Sequence, residues 1–287
     1  MPEFTRDTEH GPISISYKKT GNAGDPVFLL HGLGEDKSAW QFQIAPIAKA
    51  GFTVYAHDAR GFGRSTRVEE FEDEEKAQSF YSLENDVTDV IALMDHVGVE
   101  KGHLVGHSMG GLIAQVVSAL YPDRVITTII ANSFSHPHPR IVAATRAWQR
   151  AMENMPLKEA FDVLIPWIMG EKMMTSPLYE ALISEVRKIF VKTNTNWCFA
   201  NKIKTIRTKG PELLDYIKKI KNPVLLIGGG DDVITPPRYQ DHTKSVIPQA
   251  EIVIIPKVGH QATLENPVAF NKAIIDFLKN YAIQKVS

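Results

Sequence analysis

The sequence predicts an α/β fold: a mostly parallel sheet covered by helices on both faces, with an inserted helical cap. Short apolar runs recur along the chain, at 27–30, 53–56, 103–105, 125–131, 224–227 and 252–255, and most stop at Gly, Asp or Asn. Near-continuous runs of this kind are what strands buried on both faces look like, and such burial is typical of parallel sheets wrapped by helices. Between the runs, apolar residues recur at helical spacing. The alternation of strand and helix breaks at Phe134 and resumes at Asn222, which marks an insertion.

Taken in order, Ile13-Ser14-Ile15-Ser16-Tyr17 alternates apolar and polar, as a half-exposed edge strand would. The runs at 27–30 and 53–56 follow as buried strands. Leu83, Val87, Val90, Ile91, Met94 and Val97 then recur at threes and fours, one apolar helical stripe. A strand at 103–105 leads to a helix at 112–120, which Tyr121-Pro122 ends. After the strand at 125–131 come helical segments at 141–155, 157–169 and 177–190, with three of the four tryptophans, Trp148, Trp167 and Trp197. Two more strands follow, and Phe270, Ile274, Phe277, Leu278 and Tyr281 make a last helix. The expected organisation is a core of residues 1–133 and 223–287 with a cap of residues 134–222.

Composition bounds the function. The chain has 287 residues, 44% hydrophobic and 23% charged, an ordinary globular balance. Length alone leans toward two domains, and a chain of this size can bury enough surface to need no metal or disulfide. Thirty-two basic against thirty-three acidic residues leave a charge of −1, which argues against a nucleic-acid partner. Residues 134–222 hold fifteen Lys and Arg and eight Asp and Glu, +7 against −8 elsewhere. That excess reads first as solvated helix faces, and second as a rim that attracts an anionic substrate. The acidic run Glu69, Glu70, Glu72, Asp73, Glu74, Glu75 reads as a solvated loop. A single cysteine, Cys198, allows neither an internal disulfide nor a Cys-rich zinc site. The polar, acidic start shows no signal peptide, and no apolar run approaches the ~20 residues of a membrane span, so a cytoplasmic protein is expected.

The chemistry is carried by Gly106-His107-Ser108-Met109-Gly110, a G-x-S-x-G pattern with a strand before it and a helix after it. A tight turn there must lift the Ser108 hydroxyl above the sheet in a strained conformation, and any Cβ at Gly106 or Gly110 would collide across the turn. A serine hydroxyl needs a base. Among ten histidines, His260 is the best placed, in a loop between the strand at 252–255 and the last helix. His31 and its glycines suggest a backbone role, His107 flanks the serine and diverges from it, and His136 and His138 sit where the cap begins. The base needs an acid to fix its tautomer, and both Asp231 and Asp232 follow the strand at 224–227. Residue physics alone does not choose between them. Asp58 precedes the serine and is expected to hold its own loop by pairing with Arg60. Two backbone donors are needed for an oxyanion: the N–H of Met109 after the nucleophile, and that of Leu33 in His31-Gly32-Leu33-Gly34.

These pieces resemble the α/β-hydrolase superfamily, and within it the small esterases, enol-lactonases and cofactor-free haloperoxidases. The resemblance rests on His31-Gly32-Leu33-Gly34 with Trp40 downstream, Asp58-Ala59-Arg60-Gly61-Phe62-Gly63-Arg64-Ser65, the serine turn, Gly230-Asp231-Asp232-Val233-Ile234-Thr235-Pro236, and Gly259-His260 with Glu265-Asn266-Pro267. It covers nearly the whole chain outside the cap. In that family the acid stands four residues before the proline, which here is Asp232. Asn132 occupies the alternative acid position of some members and, as an amide, cannot serve. Ser108 stands where the dehalogenases and epoxide hydrolases of this fold carry Asp. The early loop lacks the His-Gly-Gly-Pro-Gly of proline iminopeptidases. Neither glycine-rich loop completes G-x-G-x-x-G, and no phosphate loop exists.

The resemblance implies a serine hydrolase of carboxylic esters working through an acyl-enzyme on Ser108, with His260 as base and Asp232 orienting it. The expected partner is a small-molecule ester or lactone, and no metal or organic cofactor is implied. Trp167, Met169, Trp197 and Phe199 are candidates for an apolar pocket. The alternatives are an enol-lactonase or C–C bond hydrolase on an acidic substrate, and, in another class, a ligand-binding receptor on a hydrolase fold. A monomer or homodimer fits either.

Overall fold

In the computed structural model, which describes residues 2–68, 74–208 and 210–283, eight strands form one sheet. They are β1 (Glu3–Thr8), β2 (Gly11–Thr20), β3 (Pro26–Leu30), β4 (Thr53–His57), β5 (Gly102–His107), β6 (Val125–Ala131), β7 (Val224–Gly229) and β8 (Glu251–Ile255), in the order β1-β2-β4-β3-β5-β6-β7-β8. The first two ladders, β1 with β2 and β2 with β4, are antiparallel, and the rest are parallel. The early helices are α1 (Gln41–Lys49), α2 (Glu74–Phe80), α3 (Leu83–His96) and α4 (Met109–Leu120). Six more lie between β6 and β7: α5 (Pro139–Asn154), α6 (Leu157–Ile168), α7 (Glu171–Met174), α8 (Tyr179–Thr193), α9 (Asn196–Thr208) and α10 (Gly210–Ile217). The chain ends with α11 (Pro237–Val246), α12 (Ala262–Glu265) and α13 (Pro267–Asn280).

The apolar runs of β3 to β7 form buried strands because each has two covered faces, whereas β8, at the sheet edge, buries only Ile255 and leaves Ile254 exposed. In β3, Phe28 and Leu30 pack with α3, α4 and the inserted helices, while Val27 and Leu29 pack with α1 and α13. The period of two along a strand sends neighbours to opposite layers, so an unbroken apolar run is what this position requires. Helix α4, apolar on every side, is buried between the sheet, α3 and α10. Among the described residues no helix is long and apolar enough to cross a membrane.

Two expectations need correction. The strand β2 is not at the edge: β1 pairs outside it, with Phe4 opposite Ile15. The segment Glu3–Thr8 has one buried residue, Phe4, and so carries no apolar run to find. Nor does Asp58 pair with Arg60. It accepts the Lys37 amide at 2.8 Å and the Arg64 amide at 2.9 Å, and pairs with the Lys37 ammonium. Arg60 instead makes a two-pronged bond to Asp89 on α3, 2.7 Å from Nε and 2.7 Å from Nη2. Of the acidic run, 69–73 lie outside the described residues, and Glu74 and Glu75 open α2.

The inserted helices are fastened to the core by a buried ion pair. Lys202 on α9 donates to both oxygens of Asp86 on α3, at 2.7 and 2.6 Å, and both side chains are buried. Removing one partner strands a charge in the interior, so Asp86→Ala is expected to cost about 3–5 kcal/mol. Adding Lys202→Met to it should recover most of that loss. Urea midpoints of the single and double variants measure both, and a double variant as unstable as the single would refute this account of the pair.

Candidate active site

Ser108 connects β5 to α4 with φ 50 and ψ −112, a left-handed conformation that costs a non-glycine residue of order 1–3 kcal/mol. The surroundings impose it. A Cβ on Gly106 would lie 2.1 Å from the carbonyl oxygen of Gly110 across the turn. A Cβ on Gly110 would lie 2.0 Å from the carbonyl of Leu30, so that glycine makes room for the neighbouring strand rather than for the turn itself. The Ser108 amide donates to the Ala131 carbonyl at 2.9 Å, and the Ser133 hydroxyl donates to the Ser108 carbonyl at 2.8 Å. Backbone on both sides is thus held while the side chain stands free above the sheet edge.

The loops after β7 and β8 meet at the same edge. A Cβ on Gly229 would strike the Gly259 carbonyl at 2.1 Å, so glycine at the end of β7 is what lets the second loop close in. The Asp231 amide donates to Val258 at 2.8 Å and joins the two loops. The result is a continuous chain of hydrogen bonds. The Asp232 carboxylate can only accept, so His260 carries its hydrogen on Nδ1 and donates it to Asp232 Oδ2 at 2.8 Å. Nε2 is then an acceptor, and the Ser108 hydroxyl donates to it at 2.9 Å.

Asp232 is buried, and its other donors are the amides of Ile234 (2.9 Å) and Thr235 (2.8 Å), the Thr235 hydroxyl (2.6 Å) and the Asn132 amide (3.0 Å). Burial pushes its carboxyl upward, but the His260 charge and the bonds from His260, Asn132 and Thr235 outweigh it and hold the group well below the usual carboxylate range. Asp231 is exposed. Asn132, at φ 46, is a donor to the carboxylate.

Leu33 lies between Gly32 and Gly34 on the loop after β3, and both it and Ser108 border the cavity. Met109 is the first residue of α4, where backbone amides have no helical acceptor. The inserted helices reach this loop and the histidine loop directly. Asn194, which caps α8, donates to the Gly34 carbonyl at 2.8 Å, and the Ile168 carbonyl at the end of α6 accepts the amides of His260 (3.1 Å) and Gln261 (3.2 Å).

The cavity between them has a volume of about 140 Å³. Its apolar wall includes Trp148, Phe161, Leu164, Met169, Phe190 and Phe199. Met169 and Phe199 stand there as the sequence led us to expect; Trp167 and Trp197 do not border it. The reason is helical phase. Phe161, Leu164 and Ile168 line the cavity from α6, and Trp167 is rotated about 100° from Ile168. Trp197 packs edge-on against Tyr81, 5.8 Å between centroids. Trp148, Phe161 and Phe190 were missed, although the stripe Ile141, Ala144, Trp148, Met152 on α5 marks an inward face. No Lys or Arg borders the cavity among the described residues; Glu35 and Asp36 do. Among the described residues, no three His, Cys, Asp or Glu side chains are placed to share a metal ion.

Residues 25–267 match the family described as alpha/beta hydrolase fold, and the chain belongs to that family. It is 26% identical over 296 residues to a 2-hydroxy-6-oxononadienedioate/2-hydroxy-6-oxononatrienedioate hydrolase of Comamonas testosteroni, covering 98% of this chain and 100% of that one. A protein of Caulobacter sp. (strain K31) named as a carbamate hydrolase, RutD, is 26% identical over 270 residues, with 89% and 91% covered. In fold it is similar to a thermophilic esterase from Thermogutta terrifontis, with a TM-score of 0.84, 24% identity and 98% and 99% of the two chains covered.

The strain at Ser108 has a measurable consequence. Ser108→Gly should unfold at higher urea than Ser108→Ala, by about 1 kcal/mol, because glycine adopts the left-handed conformation without penalty. Equal midpoints for the two variants would show that the turn stores no strain at this residue.

Proposed function

We propose that the protein is a serine hydrolase of neutral carboxylic esters with a compact apolar acyl group. The observation that carries this reading is the unbroken Asp232–His260–Ser108 hydrogen-bond chain opening on a largely apolar cavity that, among the described residues, no Lys or Arg borders. In the proposed reaction, Ser108 Oγ attacks the ester carbonyl while His260 Nε2 takes its proton. The N–H groups of Leu33 and Met109 receive the developing oxyanion. The imidazolium, stabilised by Asp232, returns its proton to the departing alcohol. Water, deprotonated by His260, then attacks the acyl-enzyme, and the proton goes back to Ser108 as the acid is released. No step needs a metal or an organic cofactor.

Residues 134–222 would act as a cap that shapes the acyl site and excludes water without supplying the triad. A cavity near 140 Å³ matches the ~150 Å³ apolar cavity that admits a benzene ring, so an acyl chain of about four to six carbons is the natural fit. The Comamonas relative is named for a dioate, a doubly charged substrate. For this chain an anionic acyl group is disfavoured: Glu35 and Asp36 border the cavity, and no described Lys or Arg of the insertion does. Lys202 is paired with Asp86, Arg187 with Asp162, Lys188 with Glu185 and Lys204 with Glu74.

Ser108→Ala should lower ester hydrolysis by at least ~10³-fold with the fold intact, and Asp232→Asn by about 10⁴-fold through the wrong His260 tautomer. Asp231→Asn, an exposed change, should stay within about twofold. Rates on p-nitrophenyl esters should peak near butanoate to hexanoate and fall for dodecanoate. At equal size a neutral acyl group should outperform one ending in a carboxylate. Normal turnover by Ser108→Ala would end the serine mechanism, and preference for the carboxylate-bearing ester would restore the acidic-substrate reading.

A further inference from the structure

Building on the serine-hydrolase reading, we propose that His107 is held as an imidazolium and is a positioning residue, tying the oxyanion loop to the His260 loop with Glu35 as its counterion. The ring of His107 turns away from the Ser108 hydroxyl and runs between the two loops. Its Nε2 stands 2.9 Å from the His260 carbonyl oxygen, and its Nδ1 stands 3.3 Å from Glu35 Oε2. A backbone carbonyl and a carboxylate can only accept, and a neutral imidazole has one N–H. Both bonds therefore exist together only when both nitrogens carry hydrogen. The ring is 1% exposed, so a nitrogen left facing an acceptor without a hydrogen would find no water to replace it.

Glu35 carries the connection onward. The same Oε2 accepts the Gly32 amide at 2.7 Å, and Gly32 precedes Leu33. The path runs from the Leu33 backbone through Glu35 and His107 to the backbone of His260, so one buried cation sets the spacing of the proposed oxyanion donor and the proposed base. The space is closed: a Cβ on Gly32 would lie 2.8 Å from Glu35 Oε2 and 3.0 Å from His107 Nδ1.

The charged groups around His107 are Glu35 on the loop after β3, Asp232 on the loop after β7 and His260 on the loop after β8, with its ring centroid 5.2 Å away; His31 faces Glu35. Burial favours the neutral ring, but the Glu35 charge and bond, the His260 carbonyl and the Asp232 charge raise the His107 value. For Glu35, burial opposes ionisation, and His107, His31 and the Gly32 amide overcome it and bring the carboxyl down to about 2. The paired state is complete at pH values below the ordinary imidazole range and persists above it, until pH passes the raised value of His107. Without the Glu35 charge, burial wins, and the second proton is lost at a lower pH than in the wild type.

The test uses the full chain and the variants Glu35→Gln and His107→Gln. Nitrogen NMR of histidine-labelled protein at pH 8 should show one doubly protonated ring in the wild type, absent in His107→Gln and neutral in Glu35→Gln. On a p-nitrophenyl ester at pH 8, Glu35→Gln should lose about 10- to 100-fold in kcat with KM nearly unchanged. The ratio to wild type, taken at the same pH, should climb as the pH is lowered and the ring regains its second proton from solvent. A carboxylate that merely fills space would give the same deficit at every pH. A neutral His107 in the wild type at pH 8, or a deficit indifferent to pH, overturns the proposal, and the wild-type spectrum decides even if a variant fails to fold. Stoichiometric labelling of wild-type Ser108 by an organophosphate reads the hydrolase mechanism separately: its failure sinks that mechanism and leaves the protonation state of His107 to the NMR.

Discussion

The buried negative charge of Asp232 is the constraint around which the site is arranged. A carboxylate removed from water is costly unless hydrogen bonds and an opposite charge replace its hydration. Here three elements are bent to supply them. The turn after β7 folds back so that the Ile234 and Thr235 amides reach one oxygen. Asn132, the residue after β6, adopts a left-handed backbone so that its side chain reaches the other. The loop after β8 comes close enough, over Gly229, to bring His260 Nδ1 to the same oxygen. Because every lone pair is committed, the imidazole has one orientation and one tautomer, and its Nε2 faces Ser108. The direction of proton transfer in the proposed mechanism is thus already decided by the need to solvate a buried charge.

Core and insertion divide the remaining work. The strands deliver the reacting groups from loops at their carboxyl ends, where open parallel sheets form crevices. Because β6 ends at that edge, the helices that follow it emerge beside the serine. They are not a loose lid: Asn194 holds the Gly34 loop, the Ile168 carbonyl holds the His260 loop, and the Lys202–Asp86 pair locks α9 to α3. Attachment at those points suits the role proposed for the insertion, shaping the acyl site. The strained Ser108 is a stability cost accepted at the one residue where an exposed hydroxyl is needed.

Much of this was legible in the sequence because the responsible signals are local. Apolar runs mark β3 to β8, the glycines around Ser108 mark the turn, and the family resemblance, through the four residues from Asp232 to Pro236, points to Asp232 where strand position alone leaves it tied with Asp231. The failures are non-local or phase-dependent. Arg60 was assigned to its sequence neighbour Asp58, but its partner Asp89 lies on a helix that tertiary packing brings across. The edge strand β1 is held by pairing rather than by apolar content. For the pocket, the residue types were right and the helix phase wrong: Trp167 and Trp197 miss the cavity that Phe161 and Trp148 enter. Large aromatics draw the eye, whereas only the rotation of each helix about its axis decides which side chains meet the substrate.

The charge balance shows why net charge is a poor guide to this site. Exposed lysines on the outer faces of the insertion are screened within about 8 Å at physiological ionic strength, while buried groups at the cavity are screened much less. The field at a reacting carbonyl is therefore set by a few fixed neighbours. Those neighbours are Asp232 with His260, the Glu35–His107 pair, and the amino-terminal end of α4. The insertion's +7 does not reach that point, because among the described residues none of its lysines or arginines borders the cavity. A developing oxyanion between the Leu33 and Met109 amides would find positive potential from the helix end and from His107. The acyl chain would lie against the apolar wall that Trp148, Phe161, Leu164, Met169, Phe190 and Phe199 form. That separation, polar at the scissile bond and apolar beyond it, is the electrostatic pattern a neutral ester requires, and a second negative charge on the acyl chain would have nothing there to receive it.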